Sequence, residues 1–79
     1  MQVLIRFKNT KDRTQLYKII TLNFKFSEDN IPKIKKCVFR TITNYKPDKL
    51  YDKIEVSVFV RGKEMHKYEM NVNRHEQKY

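Results

Sequence analysis

Ile54, Val56, Val58 and Val60 stand at every second position, with Glu55, Ser57, Phe59 and Arg61 between them. No other feature of the chain limits its fold so tightly. Successive side chains of a strand point to opposite faces, so this run predicts a β-strand whose β-branched face must be covered by another layer. The same period recurs in three other places. Val3, Ile5 and Phe7 share one face while Leu4, Arg6 and Lys8 share the other. Beyond the polar stretch 9–14, Leu16, Ile20, Leu22, Phe24 and Phe26 alternate on even numbers, with Lys18 breaking the row. After Gly62 the inward set is Tyr68, Met70 and Val72, with His66 at the rim. The first two runs, and the last two, read as hairpins. Directly paired residues face the same side, so pairing even with even in the second hairpin calls for an odd loop. The expectation is three or five residues around Arg61-Gly62-Lys63.

Between residues 27 and 45 the period becomes helical. At about 100° per residue, Ile31, Ile34, Val38, Ile42 and Tyr45 fall in one stripe, with Thr41 and Phe39 at its edges. Lys33, Lys36, Arg40, Thr43 and Asn44 collect on the opposite arc. Ser27 or Asn30 is placed to cap the N-terminus, Glu28 and Asp29 suit the positive end of the dipole, and Pro32 fits a first turn. Pro47 disfavours helical geometry at Lys46, so the helix should end near Tyr45.

The order of elements predicts an α+β domain of the ββαββ kind, a four-stranded, mostly antiparallel sheet with one amphipathic helix packed on one face. At 79 residues there is room for one such domain, over 1–73, and 74–79 is expected to be a mobile C-terminal tail. A single helix leaves the other sheet face open. The residues expected there are Leu4, Arg6, Lys8, Tyr17, Ile19, Thr21, Lys25, Phe59, Arg61, Met65 and Lys67.

Catalysis is not expected. Hydrolysis by a nucleophile needs a base and an orienting acid beside it, and the chain offers no such set. Cys37 lies beside Ile34 and Val38 on the helix and reads as a packing residue. His75-Glu76 has no second histidine four residues on, because position 79 is Tyr79. Asp48 and Asp52 sit among basic residues and read as local charge balance. One glycine cannot build a phosphate loop, and one cysteine permits neither an intrachain disulfide nor a multi-cysteine zinc site. No metal or cofactor is implied. Residues 1–6 do not read as a secretory segment and no apolar run is long enough to span a membrane, so a cytoplasmic location is expected.

Charge is the positive clue to function. Eighteen Lys and Arg against nine Asp and Glu give +9, and the surplus is uneven: +5 in residues 1–26, −2 in 27–29, +5 in 30–46 and +1 in 47–79. Lys33, Lys36 and Arg40 follow i, i+3, i+7 spacing and form one stripe away from the core, with Lys11 and Arg13 in the neighbouring loop. These five residues are the expected backbone contacts to nucleic acid, DNA for preference, and five neutralised phosphates on a duplex predict a log–log salt slope of about −4.5. The motifs of known modules are missing. Residues 55–62 lack the basic-Gly-aromatic start of an RNA-recognition motif, a KH loop needs two glycines, and a zinc finger needs more cysteines and histidines. The alternative expectation is a protein-interaction module, such as a phage or mobile-element inhibitor or adaptor binding an acidic host protein or nucleoprotein. Its interface would be Leu4, Tyr17, Ile19, Phe59, Arg61 and Met65 on the open sheet, a surface that also suits a homodimer.

Overall fold

A computed structural model describes residues 1–45 and 51–71 of the chain. The elements are β1 (Gln2–Asn9), β2 (Thr14–Thr21), a 3-10 turn (Glu28–Asn30) leading into α1 (Ile31–Asn44), β3 (Lys53–Val60) and β4 (Lys63–Asn71). The strands form one antiparallel sheet in the order β2-β1-β3-β4. This is the expected α+β ββαββ fold. The expected tail and Asp48 lie outside the described residues.

Strand position follows from burial. β1 and β3 are the inner strands, and their core-facing residues Val3, Ile5, Phe7, Ile54, Val56 and Val58 are all at most 2% exposed. α1 lays Ile34 and Val38 on them, both fully buried, and Tyr45 at its end meets the Phe7 ring at 5.3 Å. Tyr51 closes on the other side of Phe7, edge-on at 5.2 Å. The C-terminal end of α1 therefore lies at the end of β1 that leads into the first hairpin loop.

Lys18, the break in the second alternating row, has a structural reason. It pairs directly with Ile5, so it stands on the helix side of β2, an edge strand, with its Nζ 5.3 Å over the Tyr45 ring. An inward-facing charge on an edge strand discourages another chain from pairing there. On the opposite edge, β4 carries Lys63, Glu64, Lys67 and Glu69 and a bulge.

The structure corrects several local expectations. β2 ends at Thr21, and Leu22, Phe24 and Phe26 keep their half-buried alternation in a loop outside the sheet. Neither Ser27 nor Asn30 makes a side-chain cap, and the Asn30 side-chain amide donates to the Lys25 carbonyl at 2.8 Å. The second hairpin turns on two residues, Arg61 and Gly62, with Val60 paired to Lys63. Inward residues still pair even with even, because the odd residue is taken up by a register shift: Val58 pairs with His66 but Phe59 with Glu64, leaving Met65 as the bulge. Both turn residues have positive φ, 54° at Arg61 and 81° at Gly62, as a tight hairpin turn of this hand requires.

Candidate nucleic-acid interface

The helix stripe emerges as a surface of one sign. Lys33, Lys35, Lys36 and Arg40 are all exposed, and residues 30–46 contain no acid. Lys33 and Lys35 lean outward along opposite flanks, with their ammonium groups 4.3 Å over the Phe24 ring and 5.1 Å over the Tyr68 ring. Lys36 and Arg40 remain on the crest. Like charges at i, i+3 and i, i+4 cost a helix a few tenths of a kcal/mol each. From Lys33 to Arg40 the row runs about 10 Å along the axis.

The open sheet face differs, because its inner-strand cations Arg6, Lys8 and Lys53 have carboxylate partners. Glu55, only 8% exposed, pairs with Lys8 at 3.0 Å and Arg6 at 3.6 Å, and Lys53 pairs with Glu69 at 3.4 Å. The hydrogen bond from the Lys8 ammonium, reinforced by the surrounding lysines, holds the Glu55 carboxyl below the usual carboxylate range despite its burial. Among the described residues no ion pair involves a helix cation.

Lys11 and Arg13 sit on a stiff loop at the same end of the molecule as the C-terminus of α1. The Asn9 side chain accepts from the Lys11 amide at 2.9 Å, and the Asp12 carboxylate accepts from the amide and hydroxyl of Thr14 at 3.0 and 2.6 Å. Asp52 anchors the loop from outside, accepting from the Thr10 amide at 3.1 Å and its hydroxyl at 2.6 Å. Those bonds, the hydroxyl's first, lower the Asp52 pKa. Asp12 and Asp52 therefore stand among the two loop cations, which makes the loop a weaker anion site than the helix. Arg13 has φ 61°, a conformation that costs a non-glycine residue about 1–2 kcal/mol. Arg13→Gly is expected to raise stability by about 0.5–1 kcal/mol, after the glycine's own entropy cost, while weakening nucleic-acid binding a few-fold. Urea unfolding and a binding titration on the same variant read the two opposite signs.

The six expected interface residues fall into two places. Leu4, Tyr17 and Ile19 come together with Arg6, Lys8 and Gln15 around an open groove of about 650 Å³ on the sheet, where Tyr17 and Ile19 are 62% and 59% exposed. Phe59 lies on the same face opposite Gln2 and is half-buried. Arg61 and Met65 instead line a cleft of about 590 Å³ at the end of the sheet, with Met1, Leu22, Phe24 and Phe26. Lys25 lines that cleft as well and is not on the open face. The two-residue turn and the Met65 bulge carry this corner off the face.

No protein-family model, curated protein or solved structure matches the chain. The site must be read from its own chemistry. Among the described residues no group of three or more His, Cys, Asp or Glu is placed to hold a metal, and no helix is long and apolar enough to cross a membrane. Cys37 is half-buried on the helix flank. His66 and Tyr68 pack beneath α1 and the 22–27 loop, with the His66 ring 6.4 Å from Phe26 and 5.8 Å from Tyr68, and burial pushes the Tyr68 phenol up to about 12.

The positions of two residues on these surfaces escaped the sequence pattern. Phe39, expected at the edge of the apolar stripe, is 67% exposed and stands beside Lys36 and Arg40. Its place about 100° from the stripe's centre was the available signal. Glu55 was visible as a strand residue, but its pairing with Arg6 depends on β3 lying beside β1, which no local pattern encodes.

Proposed function

We propose that the protein is a small, non-enzymatic nucleic-acid-binding factor with an accessory or regulatory role, and that it holds the phosphate backbone on the outer face of α1. The observation that carries this reading is the contrast between two surfaces. On the inner strands Arg6, Lys8 and Lys53 are paired with Glu55 and Glu69, whereas Lys33, Lys36 and Arg40 share a helix face with no carboxylate. Exposed cations in a row without counter-charges release bound counterions when phosphates replace solvent anions, and that release drives sequence-independent binding. DNA is the preferred ligand, and Lys11 and Arg13 extend the contact at the C-terminal end of α1.

The test is the salt dependence of binding to a labelled mixed-sequence DNA duplex. Three helix contacts give a log–log slope of about −2.7, and the two loop contacts bring it to about −4.5. A slope near zero overturns the reading.

The groove around Leu4, Tyr17 and Ile19 favours a second reading, a module that binds an acidic protein through the open sheet. Under that reading a partner complex resists salt and nuclease, and Ile19→Asp abolishes it while Lys36 and Arg40 are dispensable.

A further inference from the structure

Among the described residues Phe39 is the most exposed of the large apolar side chains, at 67%, while Ile31, Ile34, Cys37, Val38 and Ile42 of α1 are buried or half-buried. A lone exposed phenylalanine is ordinary. This one stands within a cationic array, with Lys35 and Lys36 one turn before it and Arg40 beside it, all exposed. Thr43, one turn on, has its hydroxyl tied back to the Phe39 carbonyl at 2.8 Å. The exposed ring thus has cations on both sides and no carboxylate on its helix.

We infer that Phe39 is a stacking post for an unpaired base, and that the nucleic acid held on α1 is single-stranded. This inference rests on the phosphate-binding reading above and deepens it. In a duplex both faces of a base are covered by its neighbours, so a phenylalanine reaches one only by wedging the stack open. An unpaired base offers its face freely, and a base stacked on an aromatic ring strengthens binding by about 5- to 150-fold. Lys36 and Arg40, on one flank of the ring, hold the phosphates next to that base, with Lys35 on the other flank. Stacking accepts any base, so the preference is for strandedness over sequence.

The experiment compares a labelled oligo-dT strand with a mixed-sequence duplex of equal length, using the full chain, Phe39→Ala and the Lys36→Glu/Arg40→Glu double variant. The expected result is tighter binding of the single strand. Phe39→Ala lowers that affinity at least about 5-fold and leaves duplex affinity within about twofold. A second variant uses the absence of tryptophan from the chain. Phe39→Trp retains single-strand affinity, and its emission, the only tryptophan signal, is quenched by oligo-dT and not by duplex. Equal strand and duplex affinities with Phe39→Ala neutral for both overturn the stacking role, while loss of binding in the double variant still upholds the phosphate contacts. Equal loss on strand and duplex in Phe39→Ala also overturns it and marks a wedge into the duplex. If neither nucleic acid binds, and phosphatidylserine vesicles shift the Phe39→Trp emission to the blue instead, both readings fail and the helix face is a membrane surface.

Discussion

Lys36→Glu combined with Arg40→Glu is expected to reduce nucleic-acid affinity by about 100-fold or more at low salt, near 50 mM, with a correspondingly flatter salt dependence. Two phosphate contacts are lost and two repulsive charges put in their place. The exposed cations of α1, Lys33, Lys35, Lys36 and Arg40, become an array with as many acids as bases. Both side chains stand away from the core, so stability should change by no more than about 0.5 kcal/mol. A binding titration paired with urea unfolding separates the two effects. If affinity falls less than about threefold in a variant of unchanged stability, the helix crest is an ordinary solvated surface.

The second large effect is on stability and falls on the other phenylalanine of contrasting position. Phe7, at 2% exposure, sits between the rings of Tyr45 and Tyr51 and fixes the end of α1 against β1. Phe7→Ala is expected to cost about 3–5 kcal/mol. A domain of this length has roughly 4–12 kcal/mol to lose, so the variant should be partly unfolded at 37 °C. Phe39→Ala, the same change on the exposed flank, should be close to neutral in urea unfolding. A loss below about 1 kcal/mol for Phe7→Ala would mean that α1 does not close over the sheet at this end.

The architecture was legible because each element announced its own period. Val3, Ile5 and Phe7, and again Ile54, Val56 and Val58, lie on the core face as their alternation requires, and Ile34 and Val38 lie at the centre of the helical stripe. What was not legible arises where non-local geometry decides. Leu22, Phe24 and Phe26 extend the alternation of β2 yet lie beyond its end at Thr21, where the last backbone bonds to the first strand join Leu22 and Met1 at 2.9 and 3.1 Å. The second turn is shorter than expected because one residue, Met65, is absorbed as a bulge, and with it Arg61 and Met65 leave the proposed sheet interface.

The placement of the proposed contact residues was legible in the same measure. Lys33, Lys36 and Arg40 share a helix face by spacing alone, and that face is exposed as expected. Lys11 and Arg13 are exposed too, but Asp12 and Asp52 accompany them, and Asp52 comes from forty residues beyond the loop in a bond no local pattern reveals. The open face looked cationic until β3 brought Glu55 to Arg6 and Lys8. A charge total of +9 could not distinguish these surfaces, since it is the pairing across strands that offsets part of the charge on one and none on the other.

The most direct test of the helix as the binding surface is a two-dimensional amide NMR titration of the isotope-labelled chain with an oligonucleotide. The account predicts the largest shifts along α1, at Lys33, Lys36, Phe39, Arg40 and Thr43, with smaller ones at Lys11 and Arg13 and little change at Leu4, Tyr17 and Ile19. Shifts concentrated on Leu4, Tyr17 and Ile19 with α1 silent, or no shifts at any residue, would contradict it.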